Sequence, residues 1–284
     1  MRTDRSLYGL VSLGFAALLS SAAVPLAAQE NVLRVCQDPN NLPFSNEHGE
    51  GFENRIAALF GEKLGWKVEY FSFPQRMGFI RNTLRFKLPG ESYRCDLVMS
   101  VPAGYDQVSA TRPYYRSTYA LVFPQQGKLS GVHAAEDLFA LPPDVRSGLR
   151  IGVYDRSPAS EWLAKHDLTS QGVPYRMLNA DPEFYPGEII EKALASGEID
   201  ATVVWGPIAG FFARRVQQPK LVVLPLASEP GVRFDYEIAM GVRFGEAQWK
   251  ATVERLLAEN QSAIEQILRS YGVPLLDEQG KVKP

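Results

Sequence analysis

Ser100–Leu121, SVPAGYDQVSATRPYYRSTYAL, is the passage on which the fold turns. It reads as a strand end, a tight turn at Gly104, a short helix and a second strand at Ser117–Phe123. The strand before it, Asp96–Val101, is apolar on both faces, the pattern of a buried parallel strand rather than of a half-exposed one. Working outward, Val32–Cys36 and Lys67–Phe71 read as strands, and Gly51–Leu64 as a helix with Ile56, Leu59, Phe60 and Leu64 at helical spacing. Gln75–Arg85 reads as a further helix. After a polar passage holding Pro142 and Pro143 the pattern restarts: strands at Leu149–Tyr154, Val173–Leu178, Ala201–Trp205 and Leu221–Leu224 alternate with helices at Pro158–His166, Pro186–Ser196 and Pro207–Val216. Such alternation predicts α/β layering around mostly parallel sheets.

The chain then returns, with a strand at Glu237–Val242 and one or two helices over Glu246–Tyr271. The expected plan is two βα lobes: residues 29–123 and 229–284 form the first, residues 124–228 the second. The chain crosses between them near Leu121–Pro124 and Ala227–Tyr236, a two-strand hinge, and a ligand would sit where strand ends and helix N-termini converge.

Residues 1–28 have the features of a secretory signal. Arg2 and Arg5 supply the positive start, Leu7–Leu19 is apolar, and Ala22, Ala23, Ala27 and Ala28 offer small residues for cleavage. The apolar run is shorter than the roughly 20 residues a spanning helix needs. Removing this segment leaves 256 of the 284 residues and moves the formal charge from -2 to -3, because Arg2, Arg5 and Asp4 go with it. A mildly acidic chain gives no electrostatic case for nucleic acid or for an anionic membrane. With 45% hydrophobic residues it can build two cores. Cys36 and Cys95 would face an oxidising compartment, which favours a bridge. They lie at the end of one strand and the start of its expected neighbour, so a pair of buried thiols stands as the alternative. Two Cys with His48, His133 and His166 scattered along the chain compose no metal site and no catalytic dyad. No cofactor is expected.

The candidate cleft residues fall in four loops. Gln37–Ser45 presents Asp38, Asn40, Asn41 and Phe44 between two prolines; short polar side chains there contact a ligand or close an Asx-turn network on their own backbone. Gly104 permits close approach, and Tyr105 offers a ring or a hydroxyl. Arg112 and Tyr114 follow at the rim, with Tyr115 and Arg116 read as packing and solvated charge. In the second lobe, Asp155, Arg156 and Ser157 precede Pro158 at a helix start, which suits an anionic or carbonyl group or an ordinary N-cap. Trp205 and Gly206 end the strand begun at Ala201. Glu53 and Asp155 are the carboxylates an enzyme would use by location, and for each a solvated carboxylate is the expectation.

Several strings carry a closer resemblance: VCQDPNNLPFS, GEGFENRIA, PQRMGFIRNTL, CDLVMSVPAGYDQVSATRPYYRSTY and VVWGPIAGFFA. Together they resemble the MoxJ and XoxJ group of periplasmic binding proteins, associated with quinoprotein alcohol dehydrogenases, from about Leu33 to about Tyr271. The resemblance implies a type II periplasmic binding fold, with C-terminal helices returning to the first lobe. It also implies a non-enzymatic accessory role in pyrroloquinoline-quinone-dependent methanol or alcohol oxidation, through assembly or activation of the dehydrogenase. The partners it implies are that dehydrogenase, the lanthanide-dependent type before the calcium type, and its cytochrome c. Amino-acid receptors of the same fold hold their ligand with a Thr-Arg pair after the strand at Asp96–Val101 and an Asp after the strand at Ala201–Trp205. This chain has Pro102-Ala103-Gly104-Tyr105-Asp106 and Trp205-Gly206 there. Both electrostatic anchors for an amino acid are absent. A conventional transporter receptor for a small non-amino-acid solute is the alternative to the accessory role.

Overall fold

The computed structural model describes residues 1, 31–75, 78–177, 181 and 183–284. The signal-like segment therefore lies outside the described residues, as does Leu178 at the end of one expected strand. In the first part of the chain, β1 (Val32–Gln37), β2 (Lys67–Ser72) and β3 (Leu97–Pro102) run parallel, with β1 between β2 and β3 and α1 (Phe52–Leu64) connecting β1 to β2. Helix α1 forms because Phe52, Ile56 and Phe60 share one buried face. Its start is held by Asn54, whose Oδ1 accepts from the backbone N–H of Gly51 at 3.0 Å and of Asn46 at 3.3 Å.

The long strand β4 (Tyr115–Pro124) then changes partners along its length. Tyr115–Thr118 pair antiparallel with a returning strand, while Tyr119–Val122 pair with a strand of the second half. That second half holds β5 (Ile151–Tyr154), α2 (Pro158–Lys165), β6 (Gly172–Tyr175), β7 (Ala201–Trp205), α3 (Gly206–Arg215) and β8 (Leu221–Pro225). The chain returns through β9 (Asp235–Val242) to α4 (Ala247–Glu259) and α5 (Gln261–Ser270). One path of hydrogen-bonded strands runs β2-β1-β3-β9-β4-β7-β5-β6, with β8 along β4. Buried clusters cover both faces of each half: Leu33, Phe60, Met240 and Leu268 lie in one and Cys36, Leu84 and Val98 in another, while Phe123, Trp162 and Phe234 face a third and Ile190, Val204 and Phe212 a fourth. Two-sided burial is why these strands read as continuous apolar runs.

Three local expectations need correcting. Among the described residues of the helix expected over Gln75–Arg85, one turn forms, Phe79–Asn82, with Gly78 left-handed at φ 88° before its first residue. The helix over Pro186–Ser196 is a wide turn, Ile189–Leu194, with i to i+5 bonding. No helix forms between β3 and β4; Ser109–Ala110 pair instead with Val242–Gly241. Cys36 and Cys95 are joined in a disulfide, since β1 and β3 are direct neighbours and bring the two Cα atoms to 5.3 Å.

The two halves also meet behind β4. A Cβ on Gly206 would lie 2.2 Å from the Thr118 carbonyl oxygen, and one on Gly210 would lie 1.9 Å from that of Gly272. Only glycine lets the first turns of α3 press backbone to backbone against the C-terminal segment. Ser117 Oγ donates to Pro274 O at 2.7 Å in the same place.

Candidate functional site

A cavity of about 270 Å³ opens where β4 changes partners, lined by Phe44, Gln75, Ser100, Pro102, Tyr115, Tyr119, Trp205, Tyr236 and Ile238. Its walls follow from strand periodicity. Tyr115 and Tyr119 lie four apart on β4, and Tyr236 and Ile238 two apart on β9, so each pair shares one face of its strand. Trp205, at the end of β7, stands edge-on to both Tyr119 (centroids 5.4 Å, planes at 63°) and Tyr236 (5.9 Å, 72°). Phe44 packs on Phe52 at 5.2 Å and belongs to the apolar contacts of both halves. The Arg233 guanidinium stacks on Tyr236, 4.7 Å from the ring centroid.

Beneath this box lies a polar cluster produced by an irregularity in the sheet. The register of β3 against β9 shifts so that Met99 and Ser100 together oppose Met240. Ser100 sits at φ 52°, a left-handed conformation that costs a non-glycine residue about 1 to 3 kcal/mol. The bulge leaves the Met240 backbone without its ladder partners, and Thr111 takes their place: Met240 N–H donates to Thr111 Oγ1 at 3.0 Å and Thr111 N–H to Met240 O at 2.8 Å. The Ser100 hydroxyl thereby lies 3.3 Å from Tyr114 Oη and hydrogen-bonds the Glu53 carboxyl.

Glu53, 7% exposed on the first turn of α1, has its pKa pushed up to about 7. Burial is the main cause; Ser100 works against it, and the Asp38 charge adds to it. The same burial raises the tyrosine hydroxyls of Tyr114 and Tyr115. Tyr115 is only 7% exposed, and the Ser100 hydroxyl beside its Oη works against the rise. The expectation of a solvated Glu53 carboxylate is therefore corrected: α1 tucks it under the bulge. Asp155 is solvent-exposed, and its Oδ1 accepts from Met177 N–H at 2.9 Å.

Of the residues singled out in the sequence, Phe44 and Trp205 line the cavity. Tyr114 lies behind it, T-shaped against Tyr115 with centroids 4.8 Å apart. Asp38 and Asn41 serve their own loop: Asp38 accepts from the N–H groups of Asn40 and Gln75, and Asn41 Nδ2 donates to Gln75 Oε1 at 2.6 Å. Asn40 Nδ2 reaches across to Phe184 O at 3.4 Å. Gly104 is exposed at φ 78° with nothing within 4 Å of a built Cβ, so backbone conformation and not close approach requires it. Tyr105 packs on the Cys36 and Val98 cluster, Arg112 is exposed with its backbone N–H on Glu254, and Arg156 is exposed at φ 58°. Ser157 is buried but does not cap α2; its hydroxyl donates backward to Tyr154 O at 2.6 Å. Tyr115, Tyr119 and Tyr236 are what the loop-by-loop reading missed. Period-two spacing along 115–119 and 236–238 was the signal that could have found them. Among the described residues no cluster of His, Cys, Asp and Glu could hold a metal, and no helix is long and apolar enough to cross a membrane.

The alternating lobes, the strand that serves both halves and the cavity at their junction define a type II periplasmic binding protein. A solved structure of the periplasmic binding protein XoxJ from Methylobacterium extorquens AM1 is 33% identical, with TM-score 0.68, covering 87% of this chain and all of that one. MxaJ from Methlophaga aminisulfidivorans MPT superposes with TM-score 0.70 at 21% identity, covering 86% of this chain and all of that one. Protein MoxJ of Paracoccus denitrificans is 26% identical over 277 residues, 93% of this chain and 96% of that protein. No protein-family model matches the chain. The chain belongs to the MoxJ/XoxJ family of periplasmic binding proteins.

Proposed function

We propose that this chain is a periplasmic accessory factor of a pyrroloquinoline-quinone-dependent methanol or alcohol dehydrogenase, aiding its assembly or activation by direct contact, with the enzyme's cytochrome c as a further partner. Family membership supports the setting. One observation carries the mode of action: the cavity between the halves keeps a full set of walls, yet among the described residues its lining holds no Lys, Arg, Asp or Glu. A receptor that must grip a charged metabolite places such groups in its lining. Here aromatic side chains prevail, the composition that anchors protein segments at interfaces.

In this reading residues 31–118 and 235–284 act as one lobe and residues 119–234 as the other, with the partner change at Thr118–Tyr119 as the first crossing. Asp38, Asn40, Asn41, Gly104, Tyr105, Arg112, Asp155 and Arg156 then belong to the rim that a partner meets, with Ser157 buried beneath it, around an anchor pocket made by Phe44, Tyr115, Tyr119, Trp205 and Tyr236. The back contact of Gly206 and Gly210 with Thr118 and Gly272 opposes large lobe rotation, so the cleft works as a preformed surface.

Affinity purification of the tagged chain from periplasmic extract, with crosslinking, tests the proposal. Recovery of the dehydrogenase is the expected result. Nanomolar binding of a single metabolite with no recovered dehydrogenase would instead establish the transporter-receptor reading, which the small volume of the cavity favours.

A further inference from the structure

We propose that the loop Arg85–Ser92 is a docking finger for an acidic recess on a partner protein, a second contact at the far end of β3 from the cavity. All eight of its residues are exposed, Phe86 (36%) and Leu88 (43%) among them. The strand β3 measures the separation. Cys95, at the loop's second stem, stands just before its first residue, and Pro102, its last, lines the cavity. A strand of that length puts about 20 Å between the two sites.

The loop is tied so that it projects. Arg94 N–H donates to Phe86 O at 3.3 Å and closes it, while Glu91 N–H donates to Leu88 O at 3.0 Å and turns its tip through Pro89 and Gly90, the latter at φ 80°. Both stems are anchored. The Cys36–Cys95 disulfide holds one; the buried Arg243 guanidinium donates to Leu84 O at 3.1 Å and Cys95 O at 2.5 Å, and Arg34 Nη1 donates to Tyr93 O at 2.9 Å. Two apolar side chains held in water this way forgo burial in the free protein and lose little freedom when a partner covers them.

Charge selects the partner. Residues 81–94 hold Arg81, Arg85, Lys87 and Arg94 against Glu91 alone, a formal +3 in a chain whose whole formal charge is -2. Glu91 is taken up by Arg94 at 3.1 Å. Arg81, Arg85 and Lys87 form no ion pair among the described residues. Cationic and apolar surface are interleaved: Lys87 Nζ lies 4.8 Å from the Tyr93 ring centroid, and the Arg94 guanidinium 5.9 Å from that of Phe86. A bilayer would have to strip water from the cation over Phe86 to admit that ring, and a membrane-bound element presents a broader apolar face. An acidic protein surface with a small apolar floor meets both features of the loop.

The inference rests on the accessory reading in taking the dehydrogenase as the partner probed, and its variants leave the cleft untouched. Affinity of the purified quinoprotein dehydrogenase for the immobilised mature chain is measured at low and high salt, about 50 and 500 mM NaCl. The native chain is compared with the combined variant Arg81→Gln, Arg85→Gln, Lys87→Gln and with Leu88→Ser. All four residues are exposed, so dichroism and thermal unfolding should be unchanged. At low salt the combined variant should bind about tenfold weaker, chiefly through slower association, with the difference shrinking at high salt. Leu88→Ser should bind about threefold weaker at both. Phosphatidylglycerol vesicles, offered to the native chain and the combined variant, should bind neither. Full low-salt affinity in the combined variant or in Leu88→Ser, or a loss in the combined variant undiminished by salt, overturns the inference and leaves the accessory reading standing. Vesicle binding that the combined variant loses overturns it in favour of a membrane. No binding of the dehydrogenase to the native chain at either salt fails the accessory reading and the inference with it.

Discussion

Replacing Glu53 by Gln isolates the cost of burying a carboxyl group beneath the bulge. The native pKa is about 7 against an ordinary value of 4.5. At about 1.4 kcal/mol per pH unit, that difference is worth about 3 kcal/mol. The sign follows from proton counting. Between pH 4.5 and 7 the native protein holds a proton that the unfolded chain has released, so stability falls as pH rises through this window. Above pH 7 the full penalty is present, and below 4.5 it vanishes. The titratable neighbours are Asp38, Tyr70, Tyr114 and Tyr115, and the tyrosines are all raised, so they stay neutral throughout. Glu53→Gln removes the titration while keeping the shape and an acceptor for Ser100. Urea unfolding of both proteins should therefore give a stability difference at pH 8 that exceeds the difference at pH 4.5 by about 3 kcal/mol, in favour of the variant. A difference that is the same at both pH values would refute the burial account of this carboxyl.

Further expectations rest on other parts of the frame. Gly210→Ala drives a methyl group into the Gly272 carbonyl; about 2 kcal/mol or more of stability should be lost in thermal or urea unfolding. Reduction of the Cys36–Cys95 bridge, which closes a separation of 59 residues, should cost about 2 to 4 kcal/mol. Asp96→Asn weakens a pair in which the Arg243 guanidinium, 9% exposed, meets Asp96 Oδ1 at 2.5 Å and also donates to Leu84 O and Cys95 O. About 2 to 4 kcal/mol should disappear, because the arginine stays buried with less of its charge balanced.

The layered architecture was legible because two-sided burial writes itself into the chain as unbroken apolar strands such as 97–102 and 201–205. The junction cavity was less legible, for a physical reason. Its walls come from strands whose pairing is set at long range: β4 meets β9 with its first four residues and β7 with the next four. Nothing local to Tyr115 or Tyr119 announces that change. The bulge at Ser100 depends on the register of β3 against β9, which a serine in a strand does not advertise. Glu53 looked solvated because a carboxylate on the first turn of a helix is ordinarily so. Its burial is decided by what lies above it, and Phe44, Ser100 and Tyr115 arrive there from three other segments. The loop of Asp38 and Asn41 shows the reverse: its polar side chains looked equally suited to a ligand and to the backbone, and they bond largely to each other and to Gln75.

Central to the account is a cleft that receives a dehydrogenase on its aromatic floor. The direct measurement is the affinity of the purified quinoprotein dehydrogenase for the immobilised mature chain and for its Trp205→Ala variant, with dichroism verifying the fold of both. The account predicts measurable binding to the native chain and at least tenfold weaker binding to the variant. No binding to the native chain, or equal binding by both, would contradict it.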